Sequence, residues 1–196
     1  MRNPELTKEM ILKKSGLLFN TRGYKTTSIS NITDATGFTK GAIYKHFKSK
    51  EELEKETLFH LAAIMFEALT KRIKEKTTAS EKMSAVFKFF ESYTTNPPVK
   101  GGCPVLNAAI EADDAHPVLR KSALKLMNVL RDAIIKLLDN GIKHKQIKPN
   151  IDKEFYATLI IASLEGAIMI SKLRGDDEDI KRVIVHLEKQ MKEIEL

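Results

Sequence analysis

The chain has 196 residues, 42% hydrophobic and 30% charged, which suffices for one large domain or a small domain fused to a larger one. Its net charge of +7 is confined to one end: residues 1–50 hold ten Lys and Arg against three Asp and Glu, while residues 51–196 hold 23 of each. A solubilising basic surface would not be partitioned this way, and excess positive charge on one segment is the footprint of nucleic-acid binding. One cysteine excludes a disulfide within the chain and suits a reducing cytoplasm. The N-terminus lacks a signal-peptide core, and no uninterrupted apolar run approaches the roughly 20 residues of a membrane span. The expected location is therefore cytoplasmic, with no membrane partner.

The first predicted helix runs from about Pro4 to Arg22, with Pro4 in its first turn and Ile11, Leu12, Ser15, Leu18 and Phe19 facing inward. Gly16 costs about 1 kcal/mol relative to alanine in such a helix, so tertiary packing must carry it. Gly23 ends the helix and Tyr24 packs back. Ser28 caps a second helix whose apolar stripe is Ile29, Ile32 and Ala35, and Gly37 ends it in the left-handed conformation. Phe38 is a buried wedge. Thr39 caps a third, short helix from Lys40 to about Phe47, with Ile43 and Phe47 inward and Lys40, Gly41, Ala42, Tyr44, Lys45 and His46 outward. That outer face has donors, a ring hydroxyl, two small residues and no carboxylate. Small residues let the backbone approach base edges, and Lys and His donate to guanine acceptors or to phosphates. Helix, glycine turn, helix is the helix-turn-helix arrangement, whose second helix enters the major groove.

The run Thr26-Thr27-Ser28-Ile29-Ser30-Asn31-Ile32, followed by Gly37 through Leu53 (GFTKGAIYKHFKSKEEL), resembles the DNA-binding signature of the tetracycline-repressor (TetR) family. Thr33 and Thr36 stand where that family commonly has alanine. The resemblance implies an all-α fold: an N-terminal three-helix DNA-binding domain, and a C-terminal ligand-binding and dimerisation bundle, about nine helices in all. The division expected is 1–50 for the DNA-binding domain and 51–196 for the rest. The DNA-contact set is Thr27, Thr39, Lys40, Gly41, Ala42, Tyr44, Lys45, His46 and Lys50. In it Thr27, Tyr44 and Lys50 are expected at phosphates, and Lys40, Ala42 and Lys45 toward the bases.

Ser49 caps the fourth helix, where Glu51, Glu52 and Glu54 suit the dipole, and Leu53, Leu58, Leu61, Met65 and Leu69 continue inward to about Lys74. A fifth helix from Ser80 carries Val86, Phe87, Phe89, Phe90 and Tyr93, and Asn96–Gly102 is a loop. The sixth runs from Pro104 to about Ala112, ended by Asp113-Asp114. The seventh runs from Pro117 to Asn140-Gly141. The eighth, capped by Asp152 and ending at Arg174-Gly175, is apolar on nearly all sides and should be buried on both faces. The last, from about Asp177, has a seam of Ile180, Val183 or Ile184, Leu187, Met191 and Ile194. The last two helices suggest a four-helix bundle across a two-fold axis, and so a homodimer reading paired half-sites.

No HExxH, nucleotide-binding glycine loop, nucleophile elbow or di-iron Glu-x-x-His pair occurs, so neither catalysis, a cofactor nor a metal is expected. His60, His116, His144 and His186 read as surface or capping residues. Cys103, opening the sixth helix, is either a low-pKa sensor or a small packed residue. By the family resemblance, a small-molecule effector occupies the C-terminal bundle. Phe66, Phe90, Tyr93, Asn107, Met127, Tyr156, Ser163 and Glu165 are its candidate contacts, and Glu165 could instead pair across the dimer. The function expected is a ligand-responsive transcriptional regulator, most simply a repressor freed from a double-stranded DNA operator by its effector. The alternative is a DNA-binding dimer without that switch.

Overall fold

The computed structural model describes residues 3–112 and 116–196, so the break expected at Asp113-Asp114 lies outside the described residues. Among those described, the chain is all-α, in the order α1 (Pro4–Arg22), α2 (Ile29–Thr36), α3 (Lys40–Tyr44), α4 (Lys50–Lys74), α5 (Ala79–Glu91), α6 (Pro104–Glu111), α7 (Pro117–Lys143), α8 (Lys153–Arg174) and α9 (Glu178–Glu193). One isolated antiparallel bridge joins Ile147 to Glu195.

The chain forms two compact units. The first comprises residues 1–65 and 99–126; the second comprises 66–98 and 127–196. The sequence places a division at residue 50, where the charge changes. Packing instead gives the first unit the start of α4 together with α6 and the start of α7.

In the first unit, α1 begins at Asn3, whose side chain accepts from the Glu5 amide at 3.0 Å. Its inward residues Ile11, Ser15 and Phe19 are buried, and Phe19 stacks on Tyr24 with ring centroids 4.9 Å apart. Gly16 has a packing reason: a Cβ there would lie 2.7 Å from Leu61 Cδ2. Asn20 Nδ2 donates to the carbonyls of Lys100 (2.9 Å) and Gly102 (3.0 Å), tying α1 to the 99–103 loop.

In the second unit α5, α8 and α9 pack on one another. Thr78 caps α5 through the Glu81 amide, and Glu81 accepts from the Thr77 and Thr78 amides and the Thr77 hydroxyl. The α9 seam of Ile180, Ile184, Leu187, Met191 and Ile194 is buried within its own chain. The helices that α9 packs against are α5 and α8. α8 departs from expectation. Ala157, Ile160, Ile161, Leu164, Ala167 and Ile168 are buried, yet Phe155 (58% exposed), Met169, Ile170 and Leu173 (81%) face outward. Averaged over an 18-residue window, α8 reaches a mean hydropathy of 1.4 and is long and apolar enough to cross a membrane by length and composition alone. Uninterrupted runs hide this, because Thr158, Ser163 and Glu165 punctuate the helix.

Candidate nucleic-acid interface

Local chemistry fixes the helix-turn-helix. Ser28 and Asn31 form a reciprocal capping box: the Asn31 amide donates to Ser28 Oγ at 3.2 Å, and the Ser28 amide donates to Asn31 Oδ1 at 2.9 Å. Ile32 is buried, whereas Ala35, expected on the inward stripe, is exposed. Gly37 ends α2 at φ 71°, its N–H donating to the Thr33 carbonyl at 2.8 Å. Thr39 then caps α3 by accepting from the Ala42 amide at 3.2 Å. Only Lys40–Tyr44 is regular helix, shorter than the sequence suggests; Lys45 to Phe47 close as a turn. Ile43 and Phe47 are buried beneath it, with Lys8 Nζ 5.3 Å from the Phe47 ring centroid.

Above these anchors Thr39, Lys40, Gly41, Tyr44 and Lys45 are exposed, and Ala42 and His46 are half-buried. Tyr44 is 45% exposed, a large ring turned outward. These residues form one carboxylate-free cationic surface.

Two residues expected at phosphates sit differently. Thr27 is buried, and its hydroxyl donates to the Gly23 carbonyl at 2.7 Å, which closes the turn after α1. Lys25, Thr26 and Ser28 are the exposed residues around it. Lys50 is half-buried, and its ammonium donates to the Tyr24 carbonyl at 2.9 Å and pairs with Glu54 Oε1 at 3.1 Å. Glu54, read in sequence as suiting the dipole of the fourth helix, is only 1% exposed. Burial holds its carboxyl above the usual range, against the opposing Lys50 bond and charge and the charge of His116. The available signal was its register: Glu54 falls on the inward row with Thr57, Leu58 and Leu61.

The effector candidates are divided between the two units. Asn107 lies in the first unit, where its Nδ2 donates to Asn20 O (3.2 Å), Asn20 Oδ1 (3.0 Å) and Gly101 O (3.2 Å). These bonds clamp the end of α1 to the start of α6. The others belong to the second unit. Phe90 and Tyr93 are buried with Phe89 in a ring cluster, centroids 5.6 to 5.8 Å apart. Glu165 is buried, and Phe66, Met127, Tyr156 and Ser163 are half-buried. Three cavities in that unit, one of them ≈ 270 Å³ between α5 and α9 over Phe87 and Met191, are lined by none of the eight. Cys103 is buried at the start of α6. Among the described residues no group of His, Cys, Asp and Glu could hold a metal ion.

Residues 11–57 match the profile of bacterial regulatory proteins, tetR family, and residues 79–187 match that of the tetracyclin repressor-like C-terminal domain. A solved TetR transcriptional regulator from Chloroflexus aurantiacus J-10-FL is similar at TM-score 0.95 and 34% identity, covering 100% of both chains. One from Cytophaga hutchinsonii gives 0.90 and 28%, covering 100% of this chain and 98% of that one. The HTH-type transcriptional repressor DhaR of Mycobacterium sp. (strain GP1) is 20% identical over 182 residues, 90% of this chain and 88% of DhaR. With the capped helix-turn-helix in place and both halves of the chain matched, this protein belongs to the TetR family of DNA-binding transcriptional regulators.

Proposed function

We propose that this chain is a cytoplasmic, homodimeric repressor that a small molecule releases from its duplex operator. The observation that carries the reading is the carboxylate-free cationic face of α3, on the segment that holds all of the chain's excess charge. Thr39, Lys40, Gly41, Ala42, Tyr44, Lys45 and His46 form the DNA-facing set: Tyr44 reaches a phosphate, and Lys40, Ala42 and Lys45 face base edges. Residues 1–50 carry DNA, and 51–196 carry the effector and the dimer contact.

The outward row of α8 supports the dimer. Phe155, Leu159, Ala162, Gly166, Met169 and Leu173 alternate four and three apart, which makes one continuous stripe along the helix. A Cβ on Gly166 would meet nothing within 4 Å in its own chain, so the glycine leaves room for the close approach of a second helix. The interface therefore uses the last two helices, but α8 supplies its apolar centre and α9 adds little beyond the exposed Val185.

Effector release needs a coupling of about 1–3 kcal/mol, a 5- to 150-fold loss of operator affinity. The experiment is titration of the protein–DNA complex with a panel of apolar small molecules, followed by fluorescence anisotropy. Release by at least one compound supports the reading. The close packing of Phe89, Phe90 and Tyr93 favours the second reading, a dimer without a switch, and no release by any compound would establish that instead.

A further inference from the structure

We propose that Lys50, Glu54 and His116 form a proton-responsive clasp that positions the turn leading into the helix-turn-helix. It rests on the reading of α3 as the DNA-facing element, and it assigns Lys50 to positioning rather than to phosphate contact.

The clasp joins three segments of the first unit. Glu54 lies in the first turns of α4, and its carboxylate is almost wholly buried. Lys50 Nζ sits 3.1 Å from Oε1 and also donates to the Tyr24 carbonyl at 2.9 Å, across 26 residues of sequence. On the other side His116 Nδ1, just before α7, lies 3.9 Å from Oε2. Among the described residues, the other charged groups acting on this cluster are Glu51, which raises the Glu54 pKa, and Glu111 on α6, which acts with Glu54 on the Tyr24 hydroxyl. Glu111 Oε2 also accepts from the Lys25 amide at 3.2 Å, in the same turn that Lys50 holds. The 99–126 segment thus grips the α1–α2 turn at two adjacent points, once by Glu111 directly and once by His116 through Glu54 and Lys50.

The chemistry makes the second grip conditional. An imidazole changes charge between pH 5 and 8. When His116 is neutral, a single cation compensates a buried carboxylate. When it is protonated, two cations flank Glu54, the ionised form is favoured, and Lys50 is held to its double contact. At still lower pH Glu54 takes a proton and the advantage disappears. The contribution of His116 to folding therefore requires a charged imidazole and an ionised Glu54 together. Glu54 itself, raised by burial, favours the folded state as it protonates, with or without His116.

The test is a double-variant cycle on the full chain, with His116→Gln, Glu54→Gln and the pair, unfolded in urea at pH 8, 7, 6 and 5.5. The folding constant of wild type relative to His116→Gln is expected to rise about five-fold or more from pH 8 to 5.5, the scale of a partly exposed ion pair, and to stay flat in the Glu54→Gln background. A cycle with no pH dependence overturns the clasp. Lys50 is then tested in the Glu54→Gln background, so that no buried charge is left unpaired. Lys50→Gln there should weaken binding of a random-sequence duplex while leaving the slope of log affinity on log salt unchanged. A slope reduced by about 2 per dimer would return Lys50 to a phosphate and overturn its positioning role. If wild type binds no duplex at all, the functional reading fails, while the urea cycle still reads the clasp.

Discussion

Gly101 shows how much a single position can determine. Its φ is 107°, and a Cβ added there would lie 2.2 Å from the Asn20 carbonyl oxygen. Gly101→Ala meets both a strained backbone and a collision with main chain that cannot swing aside. It should cost about 2–4 kcal/mol, read as a lower urea midpoint at unchanged slope. Glu81 gives a test of opposite character. The Thr77 and Thr78 donors hold its carboxyl down at about 2, from an ordinary value of 4.5. Its folded-state pKa is depressed, so its contribution is fully present above pH 4.5 and is lost as pH falls toward 2. Glu81→Gln should flatten the stability profile across that window, with lower stability than wild type near neutrality and a difference that vanishes toward pH 2. Such fine placement was the least legible part of the sequence. Thr27, Lys50 and Asn107 took their expected roles from the family resemblance and Glu54 from its place in the first turns of α4, but the fold chose the partners: a carbonyl 26 residues away for Lys50, and α1 for Asn107.

Elements were far more legible, because their signals are local. The caps at Ser28, Thr39 and Asp152 and the left-handed glycines at 37 and 175 fall where the sequence puts them, whereas α5 opens at Ala79 behind a Thr78 cap rather than at Ser80. The other exception concerns which faces meet. α9 packs against α5 and α8, while α8 keeps one apolar face bare; periodicity reports a stripe but not its partner. At this scale α3 can be probed through Lys40. Lys40→Ala removes a cation from the exposed face without touching Ile43 or Phe47 beneath. It should weaken specific binding by about 1–3 kcal/mol if Lys40 meets a base edge, with little change in salt slope. A slope lowered by about 2 per dimer would move Lys40 to the phosphate backbone.

For the whole molecule the decisive quantity is the number of chains per functional unit. Gly166→Leu places a branched side chain at the centre of the α8 stripe, where its own chain leaves open space. The variant should fold with unchanged helicity and sediment as a monomer. Its duplex affinity should fall by 10²-fold or more, on the order of the tethering gain between two modules. A dimeric Gly166→Leu protein would place the interface elsewhere.

The brevity of α3 has one more consequence. Five residues of regular helix, Lys40–Tyr44, are far below the roughly 12–15 at which an isolated helix becomes even marginal in water. The shape of the proposed DNA-facing surface therefore depends on Ile43, Phe47 and the scaffold that receives them. A synthetic peptide of residues 38–50 should show a random-coil circular dichroism spectrum and no sequence preference. Grafting those thirteen residues elsewhere will succeed only where the recipient supplies an equivalent socket.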